Sequence, residues 1–210
     1  MWRIAADAPT FHLWSLSEDV LLHRGSNQEQ LVLTSRWGVD RLDRPHPAVY
    51  EALRRMDLGP VLLANAADTR PGPDSPPAGE VQPVVRAALR GLSHLVVRTL
   101  GVDDLRGPLL SVVPTAPQAS FSLVRLPARQ AVRVPGHVTL TVLDSGLVVE
   151  NAQSPYRVVL HRPEAALVVA LLAWPATPDA ASPALRLPPR VTADIIDYLA
   201  AAGMATRANG

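Results

Sequence analysis

Residues 137–174 read HVTLTVLDSGLVVENAQSPYRVVLHRPEAALVVALLAW, and this stretch decides the fold. Two β-branched runs, His137–Leu143 and Gly146–Glu150, meet at the turn residues Asp144-Ser145-Gly146, and this arrangement predicts a β-hairpin. A third strand is predicted over Tyr156–Leu160. Proline suits the first position of a helix, so a helix is predicted over Pro163–Ala173. This helix is apolar on nearly every side and is therefore expected to be buried.

The residues that follow complete a recognisable order of elements. Proline-rich sequence leaves room for a short helix near Ala180–Leu187, and Pro188-Pro189 opens a final helix that runs to about Ala202. A short last strand is predicted over Met204–Arg207. The order is β-β-β-α-α-α-β, which is typical of a winged-helix module.

An internal repeat extends this pattern to the first half of the chain. Residues 42–53 (LDRPHPAVYEAL) and 160–171 (LHRPEAALVVAL) align at a constant shift of 118. Half of the aligned positions are identical: Leu42/Leu160, Arg44/Arg162, Pro45/Pro163, Ala48/Ala166, Ala52/Ala170 and Leu53/Leu171. The repeat predicts an α+β protein of two tandem winged-helix modules, residues 1–115 and 116–210.

The first module follows the pattern less cleanly. Its predicted strands are Phe11–Leu16, Val20–His23, Gln30–Thr34, Val39–Leu42, Leu95–Leu100 and Leu109–Val113, the last two forming a hairpin. Its predicted helices are Pro45–Met56, a short one from Gly59-Pro60 to about Ala67, and Glu80–Leu92. Residues 69–79 (TRPGPDSPPAG) form a predicted Pro/Gly-rich loop.

Composition excludes several classes of chemistry. The chain of 210 residues has no Cys, and its basic residues are all Arg, so it offers neither thiolate ligands nor a Schiff-base lysine. No nucleotide-binding glycine motif or nucleophile elbow occurs, and no two of the six His lie three or four residues apart. We therefore expect no catalytic residue and no metal site.

Charge and hydropathy indicate where the protein is located and which class of partner it binds. The net charge is only +1, and the longest apolar run, Ala165–Trp174, is about half of a membrane span. The predicted last helix carries Asp194 and Asp197 beside Arg190, which is the wrong sign for a DNA backbone. A cytoplasmic protein without a membrane segment is expected. A double winged-helix DNA-binding regulator stays the alternative, although nucleic acid is not the expected partner.

Four stretches resemble one protein family. They are SLSEDVLL (15–22), LVLTSRWG (31–38), RLDRP (41–45) and LVVENAQSPYRVVLHRP (147–163). They look like the N-terminal, tandem winged-helix region of SagB-type azoline dehydrogenases, which is similar to PqqD-like peptide-recognition modules. The resemblance covers about Phe11 to Thr206.

The resemblance implies a role in the biosynthesis of thiazole- and oxazole-modified ribosomal peptides, where FMN-dependent enzymes of this family oxidise azolines to azoles. The flavin domain of nitroreductase type that normally follows these modules has no counterpart before Gly210. The resemblance therefore implies a non-catalytic accessory subunit. No cofactor is expected in this chain, and FMN is expected in a separate dehydrogenase that forms a heterodimer with it.

Binding of the precursor's leader peptide is the second role that the resemblance implies. Such modules take a leader as an added strand on an exposed sheet edge, against the third helix. By this reasoning Tyr156, Arg157, Val158, Val159 and Leu160 would pair with the peptide, and the floor of the groove would consist of Val191, Ile195 and Tyr198. These three residues are equally compatible with a place in the core.

Overall fold

The computed structural model describes residues 4–25, 29–66, 78–143 and 146–208. The strands are β1 (Thr10–Leu16), β2 (Leu21–Arg24), β3 (Gln30–Ser35), β4 (Gly38–Asp43), β5 (Val61–Leu62), β6 (Val96–Val102), β7 (Pro108–Pro114), β8 (Val132–Arg133), β9 (Thr139–Leu143), β10 (Gly146–Glu150), β11 (Tyr156–Leu160) and β12 (Thr206–Arg207). The helices are α1 (Pro47–Leu58), α2 (Leu63–Ala66), α3 (Ala78–Gly91), α4 (Pro163–Leu171), α5 (Pro178–Leu185) and α6 (Pro189–Ala201). The fold is α+β, as the sequence predicts.

The chain divides into two compact units. The first consists of residues 1–12, 99–115 and 121–210, and the second of residues 13–98 and 116–120. Strands β1 and β6 each begin in one unit and end in the other. Residues 99–115, which the repeat assigns to the first predicted module, therefore belong to the unit that contains the second.

The sheet of the first unit is built around the predicted hairpin. Strands follow one another in the order β6-β7-β11-β10-β9, and the pairs β7–β11, β11–β10 and β10–β9 are antiparallel. Helices α4, α5 and α6 pack together, and both α4 and α6 contact β7. The buried side chains of this core include Val158, Val168 and Ile195.

The elements predicted for residues 137–207 are confirmed within two residues at each end. Helix α4 is buried on one face only, at Glu164, Ala165, Val168 and Val169, whereas Leu167 and Ala170 are exposed, so the expected burial on nearly every side is wrong for this face. Helix α5 begins behind Thr177, whose hydroxyl accepts from the backbone N–H of Ala180 at 3.1 Å. The turn residues Asp144 and Ser145 lie outside the described residues.

The second unit has its own three-stranded antiparallel sheet in the order β2-β3-β4. A cluster of buried apolar side chains joins this sheet to α1 and α3, including Leu33, Leu53, Met56 and Leu89. The strands and the two longer helices predicted for residues 1–115 are confirmed, with ends shifted by at most two residues.

One element of the second unit corrects the sequence prediction. The short helix predicted from Gly59-Pro60 to about Ala67 is instead a strand, β5, followed by the single turn α2. Val61 and Leu62 pair with Trp14 and Leu13 of β1, so pairing with a distant strand overrides the local preference. Of the predicted loop 69–79, residues 69–77 lie outside the described residues, and Ala78 and Gly79 already belong to α3.

Gly146 offers a direct test of the hairpin. Its φ is +128°, and a Cβ at this position would lie 2.9 Å from the backbone oxygen of Leu160. We expect Gly146→Ala to lower the free energy of unfolding by about 2 kcal/mol, because it adds a backbone clash to an unfavourable φ. Urea denaturation would measure this loss. Gly136→Ala is the control, since a Cβ there meets no atom within 4 Å, and equal losses in both variants would contradict the close approach of Gly146 to the backbone of β11.

Candidate functional site

The predicted peptide-binding strand β11 lies inside the sheet. Val158 pairs with Val149 of β10 on one side and with Val112 of β7 on the other. The same holds along the strand, from Arg157 opposite Glu150 and Val113 to Leu160 opposite Leu147 and Leu110. A peptide could pair with β11 only by displacing a strand of this chain.

The three residues predicted to floor a peptide groove are core residues. Val191, Ile195 and Tyr198 are completely buried in α6. Strand β7 packs against α6 and also pairs with β11. It therefore occupies the position, beside β11 and against the last helix, that the hypothesis assigns to a leader peptide.

Phe121 fills the same region with an aromatic side chain. Its ring lies edge-on to the ring of Tyr156, with 5.8 Å between centroids, and tilted against the ring of Tyr198 at 5.6 Å. Tyr198 in turn stacks on His12 at 5.7 Å, and its hydroxyl lies 3.1 Å from Nδ1 of that ring. Sequence reasoning missed Phe121 because it lies in a segment without regular structure; its only signal is an aromatic residue in a Pro- and Arg-rich stretch.

A buried carboxylate pair on α6 organises the polar side of this region. Arg125 donates to Asp194 and, at 3.1 Å, to Asp197. Asp197 also accepts from the backbone N–H of Leu126 at 2.9 Å, and Asp194 accepts from the hydroxyl of Thr10 at 2.5 Å. Burial raises the pKa of Asp197, and the bonds from Leu126 and Arg125 oppose that shift.

These contacts bear on the alternative that α6 is a DNA-recognition helix. Asp194 and Asp197 face the interior, not solvent, and α6 is buried from Val191 to Leu199 except at Ala193, which is half-buried. A recognition helix must present an exposed face to the major groove. In this structure α6 does not present one.

A hydrogen-bonded chain of three side chains lies at the other end of β11. His161 Nε2 is 2.9 Å from Ser111 Oγ, which is 2.8 Å from Thr99 Oγ1. Partial burial of the ring lowers the pKa of His161. The His–Ser distance suits a base and a nucleophile. Within the described ranges, however, no carboxylate orients His161. These three hydrogen-bonded side chains are therefore best explained as a link between β6, β7 and the end of β11.

A charged cluster surrounds the first turn of α4. The buried Arg162 binds Asp104 and Glu164, at 2.9 Å and 2.8 Å, and Arg106 also binds Glu164 at 3.0 Å. Every charge in this cluster therefore has a partner of opposite sign inside the first unit. The cluster fixes the turn after β6 to the start of α4.

The arginines near α1 also have partners within the chain. Arg54 and Arg55 both bind Glu51, and hydrogen bonds from Arg54 and then Arg55 lower the pKa of Glu51 to about 2. Arg44 binds Glu29 at 2.8 Å. These ion pairs engage the three guanidinium groups with carboxylates of the second unit.

A cavity of about 390 Å³ opens beside α1 in the second unit. The guanidinium of Arg24 lies over the ring of Tyr50, 4.9 Å from its centroid, and Arg44, Pro45 and Pro47 line the cavity with them. Its size is in the range of small-molecule sites. Arg24 and Arg44 are, however, already engaged by Tyr50 and Glu29, so no ligand class follows from the lining.

No protein-family model matches the chain, and no curated protein matches it. In the part of the chain that the structure describes, no group of three or more His, Asp and Glu side chains is arranged to hold a metal ion. Among the described helices, none has the length and apolar character needed to cross a bilayer.

Proposed function

We propose that this chain is a non-catalytic accessory subunit, built of tandem winged-helix modules, that docks a separate FMN-dependent azoline dehydrogenase. The reaction class comes from the resemblance of residues 15–45 and 147–163 to SagB-type dehydrogenases. The element order β9-β10-β11-α4-α5-α6-β12 supports the second module. FMN and the catalytic residues belong to the partner in this proposal.

One observation carries the docking role, namely an exposed apolar surface on α4 and the turn after it. We define the α4 surface as Leu167, Ala170, Ala173 and Trp174, all of which are exposed. Trp174 is 73% exposed, and no charged residue occurs between Glu164 and Asp179. A large exposed Trp beside other exposed apolar residues is characteristic of a protein-binding site, where Trp often contributes most of the affinity.

Two further observations favour a protein partner over the other candidates. A leader peptide that pairs with β11, as the resemblance implies, would have to replace β7 or β10, which already pair with it. DNA binding by the second module would require an exposed α6, and the buried Asp194 and Asp197 fix this helix inside the unit. The α4 surface, by contrast, is available without any rearrangement.

Co-expression with a nitroreductase-type flavoprotein tests the proposal. We expect a stoichiometric complex that carries FMN, detected by native mass spectrometry and by flavin absorbance. Trp174→Glu should raise the Kd of this complex at least about tenfold, because it places a charge in the apolar contact. The fold should be retained, since Trp174 is 73% exposed.

The matched control is Leu105→Glu, which changes another exposed apolar residue of the same unit and should leave the Kd within about twofold. If both proteins fold and no complex forms, the accessory-subunit proposal is wrong. If the two variants weaken the complex equally, the α4 surface is not the docking site.

A further inference from the structure

Strand β9 forms the outer edge of the sheet in the first unit. It pairs with β10 from Thr139 opposite Glu150 to Leu143 opposite Gly146. On its other side, no strand of the described residues pairs with it. Every residue of β9 is exposed, so its outward backbone N–H and C=O groups are open to another chain.

This edge lacks the usual protection against pairing. Natural edge strands commonly carry a charged side chain, a proline or a bulge, each of which hinders the addition of another strand. The sequence of β9 is TLTVL, without charge or proline. Its register with β10 is continuous over all five residues, which leaves no place for a bulge. Val142 is 82% exposed and Leu140 is 47% exposed.

The pattern of β9 is complementary to itself. If two copies pair antiparallel about Thr141, Leu140 of one copy lies opposite Val142 of the other, and the reverse. Residues two apart share a face of a strand, so both apolar pairs fall on the same face. Thr141 meets its own counterpart on the opposite face. Every exposed apolar side chain on the first face thus gains an apolar partner, and no like charges meet.

We propose that β9 is the edge through which two copies of this chain pair, with the two-fold axis at Thr141. The partner is a second copy because antiparallel self-pairing places Leu140 opposite Val142 on both sides of the axis and brings no charged side chains together. The contact joins the sheets of two first units into one continuous antiparallel sheet. This pairing does not depend on the flavoprotein, and it leaves the α4 surface to that partner.

Cysteine cross-linking tests the register directly because the chain has no Cys of its own. In the proposed dimer the two copies of residue 141 face each other at a Cα separation of about 4.5–5.5 Å, which suits a disulfide. Residue 139 would lie four residues from its counterpart, roughly 14 Å along the strands. Under mild oxidation, we expect Thr141→Cys to give at least about five times more covalent dimer than Thr139→Cys, since only the first meets disulfide geometry.

The oligomeric state of the purified chain gives a second readout. Light scattering after size exclusion should show a species of twice the 22.5 kDa chain mass. Because a single strand pair buries little area, the dimer is expected at protein concentrations of tens of µM, roughly. Val142→Lys should raise the dimer Kd at least about tenfold by adding a charge to each edge. Val124→Lys, a change at another exposed position in the same unit, is the control.

Three outcomes would overturn the pairing. The first is a chain that stays monomeric up to about 100 µM, well above the range expected for this contact. The second is equal cross-linking of the two Cys variants. The third is a dimer that Val142→Lys does not weaken. All three are read on the chain alone, so failure of this proposal is distinct from failure to bind a flavoprotein.

Discussion

Replacing Arg125 by Met is expected to lower the free energy of unfolding by about 3 kcal/mol at pH 7. Arg125 binds two carboxylates on α6, Asp194 and Asp197, whose side chains are 0% and 3% exposed. Without the guanidinium, two buried negative charges repel each other. The loss stays below the largest values for buried pairs because half of the Arg125 side chain contacts solvent.

The pH dependence of this loss identifies its cause. Burial raises the pKa of Asp197, and in the variant the bond from Arg125 that opposes this shift is lost. An acid whose pKa is raised by folding costs stability above that raised pKa and costs nothing below the unfolded value. The difference in unfolding free energy between variant and wild type should therefore be largest near pH 7 and shrink toward pH 4.

Urea denaturation followed by circular dichroism at both pH values measures the difference. Arg129→Met is the control, because Arg129 is exposed and its replacement should change stability by less than about 0.5 kcal/mol. A loss that is the same at pH 4 and pH 7 would show that packing, not charge, explains the effect of Arg125.

Phe121→Ala is expected to cost about 3–4 kcal/mol of unfolding free energy. The Phe121 ring is buried between Tyr156 and Tyr198, with centroid distances of 5.8 Å and 5.6 Å. Removing it deletes two aromatic contacts and leaves a cavity between β11 and α6. Phe121→Leu keeps most of the volume and should cost only about 1–2 kcal/mol.

The matched control for Phe121 is Phe11→Ala, the other phenylalanine of the chain, which is half-buried in β1. Guanidinium denaturation should show at least twice the loss for Phe121→Ala. A loss in Phe121→Ala no greater than in Phe11→Ala would mean that the Phe121 ring does not fill the space between Tyr156 and Tyr198.

Local sequence signals predicted the elements of the first unit well. The β-branched residues in Gly146–Glu150 and Tyr156–Leu160, with prolines at the starts of α4 and α6, were sufficient to place strands and helices within two residues. These signals depend on neighbours in the chain, and a single sequence contains them in full. Where pairing with a distant strand decided the outcome, as for Val61 and Leu62 opposite β1, the same reasoning was wrong.

The candidate site required information that local signals do not contain. Whether β11 has a free edge depends on where β7 lies, and β7 is separated from β11 by more than 40 residues of chain. In the same way Asp194 and Asp197 look like surface charges until Arg125 and Thr10 are found beside them. The internal repeat drew attention to the similar helices α1 and α4, but it gave no sign that residues 99–115 lie with the C-terminal half.

The bond between Thr10 and Asp194 has a consequence for the order of events during synthesis. It joins residues 184 positions apart. The start of β1 therefore cannot form this bond until α6 has been synthesised, roughly 10–40 s later at ordinary translation rates. Residues 13–98 emerge long before that time and hold most of the second unit. We expect the second unit to fold while the chain is still being translated, and the first to close only after its last helix is released.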